Sequence, residues 1–413
     1  MGGPPVAGRV GKRAARRART VLEGARVVTA SGERRADVSL RDGLVERVGR
    51  AGSERGDRVV GLDGLFLAPG LIDCHTHFVL DGDADPLAIT RRSDAALAIR
   101  GVGLAAATLA GGVTAVRDNG SRNFVNLELR DAINRGWIPG PRTFAAGEWL
   151  TMTGGHGHFM GHEIDGVDEA RKAARLQMKR GADCIKVMAT GGVMTPGVNH
   201  RATQLVVEEL AVIVEEAARA GRTVSAHAHG AEGIKNAVEA GCASVEHGTF
   251  MDEEAARMMA KAGVFWVPTM KALDDMRTKG EEHGLPDYVV RKAREAEEAI
   301  GDAWRFARKH GVRVAMGTDA GTPFNHHGEN AREVELYVAC GLTPREALAS
   351  ATEAAASLLG KAGELGAIAP GAHADLLVLR RSPLKEPKAL ARARVAVLKG
   401  GGVVAGRLPG RAG

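Results

Sequence analysis

Eight short apolar runs punctuate the middle of the chain: Phe66 to Ile72, Val113 to Arg117, Arg142 to Ala146, Cys184 to Met188, Thr223 to Ala226, Ser244 to Glu246, Val264 to Pro268 and Val312 to Gly317. Helical stretches such as VDEARKAARLQMKRG, VVEELAVIVEEAARAG and AEGIKNAVEAG separate most of them. Gly181, Gly221, Gly241, Gly263 and Gly311 each stand shortly before a run, where a helix-ending glycine belongs. Strand and helix alternating in this way predict a (β/α)8 TIM-like barrel rather than an open sheet. Such a barrel brings the carboxyl ends of all its strands to one face, so residues far apart in sequence can converge there.

Both ends of the chain read differently. From Thr20 to Leu65, short strand-like segments are broken by turn signals at Ser31-Gly32 and Asp42-Gly43. ADLLVLRR and RVAVLKGGGVVAG near the C-terminus have the same character. The economical arrangement is one small β-sandwich built from residues 20–65 and 366–413, with a barrel over residues 66–365 inserted between its halves. The 413 residues suffice, since such a barrel takes roughly 250 residues.

The net charge of +6 is local. Residues 1–19 hold Arg9, Lys12, Arg13, Arg16, Arg17 and Arg19 and no acid; removing those six from the 56 basic residues leaves 50 against 50 acidic ones. We expect a solvated, unstructured basic tail on an evenly charged body, with no nucleic-acid surface. The tail has no apolar stretch of secretory length after its arginines, and no run in the chain is apolar enough to span a bilayer. Cys74, Cys184, Cys242 and Cys340 are widely spaced without a Cys-x-x-Cys pair, which speaks against disulfides or a thiolate zinc site and for a reducing cytoplasm.

Chemistry-bearing residues cluster at the ends of the apolar runs. In LIDCHTH, His75 and His77 are two apart and share one face of a strand, where two imidazoles can hold a divalent ion. Lys186 stands in apolar CIKVMA, where an unpaired ammonium is costly to bury. It either pairs with an acid or, as a neutral amine, reacts with carbon dioxide to give a carbamate able to bridge two metals. His227 and His229 share a face in TVSAHAHG, His247 ends ASVEHG, and Asp319 in GTDAG offers a carboxylate that can ligate a metal and accept a proton. The Gly-rich TGGHGHFMGH carries His156, the best candidate there for contacting substrate, while His158 and His162 read as loop or surface residues. His200 and Arg201, in the loop after Lys186, read as solvent-exposed.

In order, APGLIDCHTH, the strand-end Lys186, His227, His247 and GTDAG resemble the metal-site pattern of the amidohydrolase superfamily, and GELGAIAPGAHADLLVL resembles its return from barrel to sandwich. The likeness runs from about Thr20 to the C-terminus. GGHG, IKVMATGGV, HAHG and VEHG resemble the branch of metal-dependent Xaa-Pro dipeptidases, Xaa-Arg/Lys carboxypeptidases and related N-acyl-amino-acid amidases.

That resemblance implies two divalent metal ions, zinc above all, and a carboxylated Lys186. It makes His75, His77 and Asp319 ligands of the more buried metal, His227 and His247 ligands of the second, and His156 a substrate-binding residue. Some relatives carry a substrate-contacting tyrosine where this chain has His229, which makes His229 a second substrate candidate. The implied reaction is cleavage of the amide bond to a C-terminal amino acid in a dipeptide or N-acyl amino acid. A metal-bridging hydroxide would attack, with cations about 3.5–4 Å apart, and Asp319 would be the catalytic base. A homo-oligomer is expected by resemblance alone. The competing expectation is a mononuclear deaminase or imidazolonepropionase-like enzyme. Such relatives place an acid soon after the fifth-strand histidine, whereas Ala228, His229 and Gly230 follow His227 here. A non-catalytic scaffold would have lost a ligand, and none is missing.

Overall fold

The computed structural model describes residues 19–50, 52–85, 87–280 and 282–410. Most of the basic start lies outside them, but Arg19 does not belong to a solvated tail. Its side chain is only 7% exposed, and its guanidinium donates to Asp57 at 2.6 and 3.1 Å and to the Gly52 carbonyl at 2.7 Å.

Two sheets lie outside the barrel, one built from the N-terminal segment alone and the other from both ends of the chain. A four-stranded sheet runs Leu44–Gly49, Asp37–Arg41, Thr20–Glu23, Arg58–Gly61. A six-stranded sheet runs Gly402–Gly406, Arg394–Lys399, Leu376–Leu379, Phe66–Pro69, Arg26–Thr29, Gly32–Arg35. The alternation of side chains in the six-stranded sheet explains why its inner strands Phe66–Pro69 and Leu376–Leu379 read as continuous apolar runs. Leu376 and Val378 enter the sandwich core with Leu67 and Val27, while Leu377 and Leu379 enter the barrel-side core with Ala68 and Val28. Both faces of these inner strands are therefore buried, whereas the edge strands Gly402–Gly406 and Gly32–Arg35 are half-buried or exposed.

The strand expected over residues 66–72 divides in two. Phe66–Pro69 pairs antiparallel with Leu376–Leu379 and parallel with Arg26–Thr29, so it belongs to the six-stranded sheet, and the barrel begins at Leu71. Gly70 is the hinge between them, packed so closely that a Cβ would meet Thr114 Oγ1 at 2.2 Å.

The barrel strands follow in parallel. Leu71–Thr76, Val113–Asp118 and Arg142–Ala145 form one run. Ile185–Met188, Val224–Gly230, Ser244–Phe250, Phe265–Val267 and Arg313–Val314 form the other. Backbone hydrogen bonds bridge both gaps: Asp183 N–H to Ala145 O at 2.8 Å, Cys74 N–H to Met316 O at 2.8 Å and Asp319 N–H to His75 O at 2.7 Å. Helices such as Val207–Arg219, Glu253–Ala262 and Asp287–His310 cover the outside, the last two ending on Gly263 and Gly311 in the left-handed conformation. Among the described residues no helix is long and apolar enough to cross a membrane. Cys74, Cys184, Cys242 and Cys340 are all free thiols.

Candidate metal centre and active site

The fifth and sixth barrel strands extend beyond the runs read from sequence, so His227, His229 and His247 lie within Val224–Gly230 and Ser244–Phe250 rather than past their ends. With His75, His77, Lys186, Asp319 and His156 they line one cavity at the barrel mouth, about 980 Å³ counting the space open to solvent. Ligand atoms of His227, His229 and His247 lie within 4.8 Å of one another, and so do those of His75, His247 and Asp319. His247 belongs to both groups. Asp319 Oδ1 stands 3.3 Å from Nε2 of both His75 and His77. All eight expected site residues thus share one cavity, and His229 sits among the candidate ligands themselves.

Every histidine of the site has one ring nitrogen anchored. Nδ1 of His75 faces Glu246 Oε2 at 2.9 Å, Nδ1 of His77 the Gly120 carbonyl at 3.0 Å, and Nδ1 of His247 the Thr269 hydroxyl at 2.7 Å. Nδ1 of His229 meets the Thr249 hydroxyl and Nδ1 of His156 the Thr195 hydroxyl, each at 2.8 Å. His227 is turned the other way, with Nε2 on the Gly191 carbonyl at 3.0 Å. Anchoring one nitrogen fixes the ring and leaves the other for a ligand. Sequence reasoning missed these anchors because they lie on other strands and loops; Glu246, directly before His247, was the one visible as a charged residue in an apolar run.

Electrostatics favours the ligating forms of Asp319 and of every site histidine except His77. Burial, reinforced by Lys186, brings His75 down to about 4, and burial with the charge of Lys292 brings His156 down to about 3. Burial first, then neighbouring histidines, holds His227, His229 and His247 well below the ordinary imidazole value. Burial would raise Asp319, but His75 and His77 outweigh it and keep the carboxyl well below its usual range. Burial alone would lower His77, and its contact with Asp319 reverses the direction.

Lys186 tests whether the site suits cations. Its side chain is 1% exposed, its Nζ has no hydrogen-bond partner, and burial brings its pKa down to about 8. A buried amine left unpaired beside anchored imidazoles and an ionised Asp319 is a donor set short of its acceptor, and divalent cations fit it.

Asp319 is held from several sides. Its backbone is left-handed at φ 58°, with its carbonyl accepting from Asn325 Nδ2 at 2.9 Å and the Thr322 hydroxyl at 2.8 Å. Buried Asp73 ties the two strand ends together, accepting from His75 N–H and Thr318 N–H, both at 3.0 Å, and from the Thr318 hydroxyl at 2.6 Å. Of the loop residues, His156 is buried, His158 exposed and His162 half-buried. His200, expected in solvent, is buried at 4% exposure against Phe250, with ring centroids 5.1 Å apart. Arg201 is exposed as expected.

The amidohydrolase family model matches residues 66–406. Ochratoxinase of Aspergillus niger is 37% identical over 373 residues, covering 81% of this chain and 75% of the relative. Among solved structures, a Xaa-Pro dipeptidase with methionine bound in its active site superposes with a TM-score of 0.87 at 32% identity, covering 94% of this chain and 99% of the other. A prolidase complexed with N-methylphosphonate-L-proline does so with a TM-score of 0.87 at 30% identity, covering 93% and 99%. The chain belongs to the amidohydrolase family and is a metal-dependent amide hydrolase.

Proposed function

We propose that the protein is a binuclear zinc hydrolase that releases a C-terminal amino acid from dipeptides or N-acyl amino acids. The observation that carries this is Lys186, a buried amine without a partner among anchored histidines on four other strands and loops. A carbamate on Lys186 would supply two oxygens, so that His75, His77 and Asp319 hold one cation and His227 and His247 the second. The pair of cations would supply Lewis acidity to the scissile carbonyl and to the attacking water. Asp319 takes the proton of that water as its oxygen bonds to the carbonyl carbon, and returns it to the leaving nitrogen as the carbon–nitrogen bond breaks. Relatives that hold methionine or a proline phosphonate support an amino acid as the leaving group. His156 and His229 are the groups we assign to its free carboxylate. The four free thiols support a reducing compartment such as the cytoplasm.

Metal content per chain and a substrate screen test this together. Two metals per chain are expected, with cleavage of N-acyl amino acids or dipeptides detected by mass spectrometry and a strong preference for the free acid over its C-terminal amide. One metal per chain with full activity would favour the mononuclear deaminase type, and equal cleavage of acid and amide would turn the assignment into a general amidase or lactam hydrolase.

A further inference from the structure

Directly behind the metal centre, the barrel interior contains a second set of charges. Arg117 on Val113–Asp118 and Glu246 on Ser244–Phe250 are 2% and 0% exposed, and their strands are not neighbours, so the two meet across the barrel. Arg117 Nη2 donates to Glu246 Oε1 at 2.7 Å, its Nε to the Cys74 carbonyl at 2.8 Å and its Nη1 to the Ser244 hydroxyl at 3.2 Å. The Ser244 hydroxyl donates to Glu246 Oε1 at 2.5 Å. One carboxylate oxygen is thereby occupied, and the other, Oε2, is left for Nδ1 of His75 at 2.9 Å.

A desolvated ion pair is a poor device for stability, because removing two charges from water offsets most of their attraction. Such a pair behind the site asks for another role, and the geometry supplies one. An ionised carboxylate has only acceptor sites, so the His75 nitrogen facing it must be the one that bears hydrogen. The other nitrogen, Nε2, then keeps its lone pair and points to the Asp319 side of the cavity, 3.3 Å from Oδ1.

Resting on the metal-site assignment above, we propose that Glu246, held in place by Arg117 and Ser244, is a positioning residue that fixes His75 with hydrogen on Nδ1 and the Nε2 lone pair presented to the buried metal. Arg117 acts one step further back, keeping Glu246 from rotating away from His75.

The zinc-loaded protein tests this. In Glu246→Gln the side-chain oxygen can stay with Arg117 and Ser244, which turns the amide N–H2 toward His75 Nδ1. The ring must then accept there and carry its hydrogen on Nε2, the metal-facing atom. Zinc affinity, read by chelator competition, should fall about 10- to 100-fold, and the visible spectrum of the cobalt-substituted protein should change. Glu246→Asp, which keeps the charge on a shorter arm, should recover part of the affinity. A Glu246→Gln protein with wild-type zinc affinity and an unchanged cobalt spectrum would overturn the proposal even if its melting temperature fell, since that pattern marks a purely structural ion pair. Should the variants fail to fold, histidine-15N NMR of the zinc-loaded wild type decides: hydrogen on His75 Nδ1 is expected, and hydrogen on Nε2 overturns it. A wild type that takes up no metal would overturn both this proposal and the assignment beneath it.

Discussion

His247, within Ser244–Phe250, and Thr269, just past the neighbouring strand Phe265–Val267, are both in the left-handed conformation at φ 65° and 53°, joined by a 2.7 Å contact from the histidine Nδ1 to the threonine hydroxyl. Left-handed backbone is unfavourable for a β-branched residue, and such strain gathers where function over-determines a conformation. The histidine that both candidate ligand groups share is thus aimed by a strained neighbour.

Thr269→Val keeps the branched shape and the backbone cost but removes the hydroxyl. Zinc affinity should drop about tenfold, with Thr269→Ser close to wild type. Equal affinities in all three proteins would show that the hydroxyl does not aim His247.

Asp319→Asn should bind metal yet lose turnover by about 10²- to 10⁴-fold, because an amide oxygen can face a cation but cannot take the proton. The check is kcat at measured, full metal occupancy. Near-normal kcat would remove Asp319 from proton transfer.

Carbamate formation needs a neutral amine, and burial brings Lys186 down to about 8 from its ordinary 10.5. At pH 7 roughly a tenth of the chains would then carry the free amine, against well under a thousandth for an ordinary lysine. Reactivation of metal-free protein by zinc at fixed dissolved carbon dioxide should therefore quicken as pH rises through about 8 and level off above it. Lys186→Ala should lose metal and activity, with partial recovery of both when small carboxylic acids are supplied. Undiminished metal content in that variant would reject the carbamate.

His156 and His229 separate by what their loss affects. His156→Ala should raise KM and shrink the preference for a free acid over its C-terminal amide, with zinc content intact. His229 stands within the ligand group of His227 and His247. If it serves substrate, His229→Ala should behave like His156→Ala; a loss of zinc instead would make it a ligand.

Arg19 is expected to matter for folding alone. Its contacts with Asp57 and Gly52 tie the first sandwich strand to the loop before Arg58–Gly61. Deleting residues 1–18 should leave melting temperature and zinc content unchanged, whereas Arg19→Ala should lower the melting temperature without altering zinc content. Loss of zinc in either protein would link this edge of the sandwich to the site.

Strand periodicity and the candidates His75, His77, Lys186, His227, His247 and Asp319 were legible in the chain because both are local: an apolar run and the polar residues in or just after it are neighbours in sequence, though the strands carrying His227 and His247 run on past them. Other features depended on what lies opposite. The run over residues 66–72 is apolar on both faces, and such a pattern does not say which sheet a strand joins; pairing with Leu376–Leu379 assigns its first half to the sandwich. Arg19 reads as one more cation in a basic stretch until Asp57 meets it. The clearest case is the aim of each imidazole. The residue types at positions 75 and 246 are plain in the sequence, but they are 171 positions apart, and only the barrel brings carboxylate and ring to 2.9 Å. A sequence can therefore name the donors of a metal site, while which nitrogen each donor presents is decided by hydrogen bonds that exist only once non-neighbouring strands face one another across a dry interior.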